Sequence, residues 1–205
     1  MLRNVLFDLH LFPDESERAS SQKRVLVLLE SLTLINQFYL EEHPETPLIY
    51  KSGIEYKLPA QFGAGEAEGG VPGYSGEVFR DIPRIIENGG GDCDNVASWR
   101  AAEIRHRLGV AAKPYITWRR RPDGGTTYHV IVIWPDGSSE DPSLLLGMGG
   151  AGKAKEREEE VRKLAERAAE MLLALKGPRA DRVAEDLVRE AELRNANNLL
   201  IEGWR

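Results

Sequence analysis

The 205-residue sequence contains a single cysteine, Cys93. A lone cysteine cannot close an intrachain disulfide, and it excludes a zinc site built from several thiolates. Histidine is nearly as scarce. His10, His43, His106 and His129 are the four, and no two stand at close metal-ligand spacing. A zinc hydrolase is therefore the weakest functional reading, and neither a metal nor another cofactor is expected. Long apolar runs are missing too: nothing approaches the roughly 18 residues needed to cross a bilayer. Residues 1–13 lack the basic lead and small-residue cleavage site of an export signal. These absences point to a cytoplasmic protein with no membrane partner. An excess of positive charge is also absent, since 27 basic against 33 acidic residues leave −6, which argues against nucleic acid as a partner. The local triplet Arg119, Arg120 and Arg121 reads first as a solvated hairpin end.

What is present is enough apolar residue, 41% of the chain, to build one core without metals or disulfides. Residues 4–12 read as a short strand, and acidic residues 14–17 open a helix that runs to about Glu42. Val25, Leu28, Leu29, Leu32, Ile35, Phe38 and Tyr39 repeat at three and four along it, and His43-Pro44 stops it. Residues 46–58 read as irregular or weakly extended. The Gly-rich stretch 63–76 reads as a long loop, and 77–88 as a short helix interrupted by Pro83. After Gly152 the composition turns to Lys, Glu, Arg, Ala and Leu. Val161, Leu164, Ala168, Met171, Leu172 and Leu175 form one apolar stripe. Gly177-Pro178 breaks it, and Val183, Leu187, Ala191 and Leu199 suggest another. The charged run 153–160 reads as a solvated helix face. The expected organisation is a catalytic domain over 1–150 and a C-terminal helical extension over 151–205. That extension either packs on the core or offers its helices to a protein partner.

The pattern sharpens at Asp92, an N-cap residue followed by a helix that Gly109 closes. Cys93, Ala97, Ala101, Ile104 and Leu108 share its inward face. A thiol in the first turn of a helix meets the positive end of the macrodipole and unpaired backbone N–H groups, which stabilise a thiolate. The same N–H groups can receive the oxygen of a tetrahedral intermediate. Asp92 and Asp94 oppose the thiolate, so an imidazolium is needed nearby. Residues 113–120 and 126–134 read as two strands of a meander, with 138–143 following the turn Pro135-Asp136-Gly137. His129 alternates with Ile131 and Ile133, which predicts that it faces the apolar interior shared with the Cys93 helix. A three-residue turn pairs Ile131 with Asp141 and sets Asp141 diagonally beside His129, about 7 Å apart at Cβ. A two-residue turn pairs Val132 with Asp141 instead and turns the carboxylate away. Taken singly, the cysteine reads as a core residue, the histidine as structural, and the aspartate before Pro142 as a turn former. In combination they read as nucleophile, base and orienting acid.

Gly90-Gly91-Asp92-Cys93-Asp94-Asn95, with Trp99-Arg100-Ala101-Ala102-Glu103 and Arg107-Leu108-Gly109-Val110, resembles the nucleophile motif of the transglutaminase-like superfamily. Tyr128-His129-Val130-Ile131-Val132 and Glu140-Asp141-Pro142 resemble its histidine and aspartate motifs, in the same order. The likeness spans residues 88–143. The approach Arg80-Asp81-Ile82-Pro83 is similar to uncharacterised bacterial and phage versions. Asn95 departs from the family, many of whose members carry a second acid there. The resemblance implies an α+β fold with a papain-like core, the nucleophile helix packed on an antiparallel sheet, plus an N-terminal helix and the C-terminal extension. It also implies Cys93 as nucleophile, His129 as base and Asp141 as the orienting carboxylate. A second oxyanion donor upstream is expected from Gln61, with Tyr56, Lys57 and Tyr74 as alternatives. The activity implied is a cysteine-dependent attack on amide or isopeptide bonds of a protein or peptide substrate. Hydrolysis is favoured over transamidation because nothing marks an amine pocket. The competing reading is a non-enzymatic assembly or partner-binding protein that keeps the old core as a platform.

Overall fold

Helix α1, Arg18–Glu42, and helix α3, Cys93–Leu108, pack against each other and onto one face of a three-stranded antiparallel sheet. That sheet runs β3 (Lys113–Arg120), β4 (Thr126–Ile133) and β5 (Ser139–Glu140), in sequence order. A second, two-stranded piece pairs β1 (Glu55–Tyr56) in parallel with β2 (Gly90–Gly91). Helix α2 (Ile82–Glu87) precedes β2, the short α4 (Pro142–Leu145) follows β5, and α5 (Ala154–Ala174) comes last. This computed structural model describes residues 18–58, 78–120 and 126–174, an α+β arrangement. The expected strand over 4–12, the helix start at 14–17, the Gly-rich loop 63–76 and the second C-terminal stripe lie outside the described residues.

Two core clusters divide the interior. Val25 and Leu29 of α1 meet Ala97, Ala101 and Ile104 of α3 and the sheet residues Ile116, Val130, Val132 and Trp134. Leu40, Ile49, Ile54, Ile82, Ile85, Val96, Trp99, Ala102 and Leu146 form the other. Helix α3 is therefore covered on nearly all sides, from Asp94 to Ile104. Gly109 closes it at φ +68°, a left-handed conformation that costs glycine nothing, and its N–H reaches the carbonyl of Arg105. Arg105 also clamps Glu30 of α1 with two bonds of 2.6 and 2.9 Å. Hydrogen bonding to that guanidinium holds the Glu30 carboxyl below its ordinary range, against the opposing effect of burial.

Three expectations need correction. In α1, Ile35 and Phe38 are 52% and 60% exposed, because the stripe that packs runs through Val25, Leu29, Leu32, Asn36 and Leu40. A three-and-four repeat of apolar residues this broad leaves the choice of face to the partner. On β4 the core side is Val130 and Val132, continued by Trp134 just past its end, not His129, Ile131 and Ile133, which are only partly buried. Both sets are apolar, so alternation alone could not choose between them. Pro83 sits at the second position of α2 rather than interrupting a helix, and Asp81 caps that helix through the N–H of Arg84. Proline is tolerated there because the first-turn N–H groups have no intrahelical acceptor.

Candidate functional site

Cys93 is the first residue of α3, partly buried and packed against the first core cluster. Asp92 occupies the N-cap position, but its side chain does not cap. Its carboxylate accepts instead from Asn95 Nδ2 at 2.5 Å, while Asn95 Oδ1 accepts the backbone N–H of Arg80 at 2.6 Å. One side chain thus donates and accepts at once, which an amide can do and a carboxylate cannot. Asn95, where the resemblance leads one to expect an acid, ties the incoming chain to the first turn of α3. Asp94 Oδ1 accepts the N–H of Asn95 at 2.7 Å.

The segment before the nucleophile is built on backbone proximity. Tyr56 pairs with Gly91 and Glu55 with Gly90, and a Cβ on Gly90 would lie 2.2 Å from the Glu55 carbonyl oxygen. Only glycine lets the two chains approach so closely. The bridge brings Tyr56, half-buried, to the side of Cys93. Burial first, then the charges of Cys93, Asp92, Asp94 and Asp141, hold its phenol protonated well above the ordinary tyrosine range. Lys57 is engaged elsewhere, since its Nζ donates to the carbonyl of Asn88 at 2.6 Å. Gln61 and Tyr74 lie outside the described residues.

His129 Nε2 stands 2.9 Å from Asp141 Oδ2. The hairpin takes the three-residue turn: Val132 pairs with Glu140 and Ile133 with Ser139, so Asp141 follows opposite Ile131. Asp141 has a second task. Its other oxygen, Oδ1, caps α4 by accepting the N–H of Leu144 at 3.2 Å. One oxygen of Asp141 thus meets the imidazole and the other caps the helix. With Nε2–H donated to the carboxylate, Nδ1 is the ring nitrogen free to take a proton.

Next to Asp141 lies a set of buried charges that the sequence did not disclose. Glu140 is fully buried and accepts from Arg100 Nε at 2.7 Å, from Trp134 Nε1 at 3.2 Å, and from the Tyr50 hydroxyl. Arg100 also donates to Glu103 at 2.6 Å, whose other oxygen takes the N–H of Ile49 at 3.0 Å. Arg100 and Glu103 look like an i,i+3 pair on a wet helix face. Their side chains are 3% and 1% exposed. The only sequence signal is their place within a helix whose other faces are also apolar.

Among the described residues no group of three or more His, Cys, Asp or Glu side chains could hold a metal ion, and no helix is long and apolar enough to cross a membrane. No family model, curated protein or solved structure matches the chain. The likeness to transglutaminase-like proteins therefore rests on the motif residues themselves.

Proposed function

We propose that this protein is a cysteine-dependent amide hydrolase with a transglutaminase-like, papain-related core, acting on a protein or peptide substrate through a thioester on Cys93. The observation that carries the reading is the 2.9 Å contact of His129 Nε2 with Asp141, which leaves Nδ1 as the base, together with a thiol in the first turn of α3. In the first half-reaction the Cys93 proton is to pass to His129 Nδ1, a step that requires the ring and the thiol to come within hydrogen-bond reach across the edge of β4, and the thiolate attacks the carbonyl carbon. The negative oxygen is received by the N–H groups at the start of α3 and by the Tyr56 hydroxyl, a donor that its surroundings keep protonated. The intermediate collapses, the C–N bond breaks, and the imidazolium returns its proton to the departing amine. Water, deprotonated by the same nitrogen, then attacks the thioester, releasing the carboxylic acid and restoring the thiol. Asp141 fixes the tautomer and stabilises the imidazolium.

Labelling of Cys93 with iodoacetamide across pH, in wild type and in His129→Ala, tests the reading. The wild type is expected to react below the pH at which free cysteine does, and His129→Ala to lose that advantage. Cys93→Ser is expected to stay folded and to abolish acyl transfer. A thiol as slow as free cysteine in both proteins would favour the binding-protein reading.

A further inference from the structure

Helix α5 reaches the corner that carries Asp141. Arg167 Nη2 donates to the carbonyl of Ser139 at 3.1 Å, and its Nη1 stands 3.6 Å from the buried Glu140 carboxylate. The same guanidinium lies over the Trp134 ring, 4.6 Å from its centroid. Seven residues earlier, on the same face, Glu160 Oε1 accepts the N–H of Asp141 at 3.0 Å. Arg157 Nε completes the row on the carbonyl of Leu144 at 3.0 Å. Glu160 is only 7% exposed, although it ends a run of charges whose other members are mostly exposed. A carboxylate taken out of water and set on a backbone N–H fixes that peptide unit, because either group left alone there is costly.

The corner needs such support. Asp141 sits between a two-residue strand and a four-residue helix, elements too short to hold their own geometry. Its carboxylate must serve Leu144 and His129 at once, so a small rotation of the peptide separates Oδ2 from the ring. We infer that α5 is a working part of the catalytic unit, with Glu160 and Arg167 as positioning residues that hold the 139–144 corner so that Asp141 meets His129. This inference rests on the proposed triad. It makes the C-terminal helix a point at which any ligand that lifts α5 would switch the site off.

The test uses the full chain, labelled with 15N-histidine, in wild type, Glu160→Ala, Glu160→Gln, Arg167→Ala and Asp141→Ala. The His129 ring signals are assigned by their loss in His129→Ala. The wild type is expected to show the proton on Nε2 with the downfield shift of a hydrogen bond to a carboxylate. Glu160→Ala and Arg167→Ala are expected to lose that shift, as Asp141→Ala does, and to move the pH profile of Cys93 alkylation toward that of His129→Ala. Glu160→Gln keeps an acceptor oxygen for the Asp141 N–H and is expected to restore both signals. Should one alanine variant fail to melt cooperatively, the other and Glu160→Gln carry the comparison. Unchanged His129 signals and alkylation in variants whose melting midpoint has fallen would overturn the inference and leave α5 a stabilising element only. Failure of the triad reading looks different: alkylation would be indifferent to His129→Ala in the wild-type background, while the ring signals would still report whether α5 positions Asp141.

Discussion

Asp141 is the residue at which, on the proposed reading, a single side chain serves fold and chemistry together, and its two oxygens separate the two effects. Asp141→Asn keeps one acceptor for the Leu144 N–H but presents an amide to His129. The ring must then accept at Nε2 and carry its proton on Nδ1, the nitrogen needed as base. We expect turnover to fall by roughly 10³ to 10⁴, with little change in melting temperature. Asp141→Ala is expected to lose as much activity and a further ~1 kcal/mol of stability with the cap. Asp136 is the control. It sits in the turn, where hydrogen bonds from the Ser138 side chain and backbone hold its carboxyl below the ordinary range, and it is largely exposed. Asp136→Ala should be fully active and slightly less stable. That small deficit should be present above the ordinary aspartate range and fade as acid protonates the wild-type carboxylate. An inactive Asp136→Ala beside a normal Asp141→Ala would refute the assignment. Tyr56→Phe removes one hydroxyl and little else: we expect kcat to drop by about 10² to 10³ while melting stays unchanged. Equal kcat in the two proteins would remove Tyr56 from the oxyanion site.

At the scale of elements, the join that matters is between α3, which carries Cys93, and β5, which delivers Asp141. Arg100 makes it, bonded to Glu103 on its own helix and to Glu140 across the interior. Arg100→Met fits a similar volume but strands two carboxylates out of water, and removing one partner from such a buried group costs about 3–5 kcal/mol. Denaturant unfolding should show that loss, with the slope unchanged. A smaller loss would mean that Arg107, 3.9 Å from Glu103, and Tyr50, Trp134 and Arg167 around Glu140 suffice for the two carboxylates. The local signals were good at helix ends and at the hairpin. Asp92 and Gly109 mark the limits of α3, and Pro135-Asp136-Gly137 sets a register whose consequence for Asp141 can be worked out on paper. The same local signals were silent on which face of β4 turns inward, because Ile131 and Ile133 are as apolar as Val130 and Val132.

For the whole molecule, the open question in the sequence was whether the chain after Gly152 is separable from the core that precedes it. The described part of α5 packs on it. Removing residues 154–205 takes away at least three hydrogen bonds to the 139–144 corner, and at about 1 kcal/mol each these alone predict a fall of roughly 6–12 °C in melting midpoint. A truncated chain that melts like the full one, by calorimetry, would restore the boundary expected from composition.

What the sequence by itself determined is whatever depends on neighbours along the chain. Cys93 in the first turn of its helix and the glycine that ends that helix follow from short-range sterics and hydrogen bonding, whereas the choice between a two-residue and a three-residue turn before Asp141 was made only in the fold. Tertiary structure decided the rest, because burial belongs to no residue alone. Glu140, Arg100, Glu103 and Glu160 carry charges that any reading of the chain assigns to solvent. They are buried because partners from Tyr50, Ile49, Asp141 and Arg167, distant in sequence, arrive to satisfy them. The bridge of Tyr56 to Gly91 is of the same kind: a parallel contact between two-residue strands 35 positions apart leaves no periodicity to read, and only folding brings that phenol to the side of Cys93.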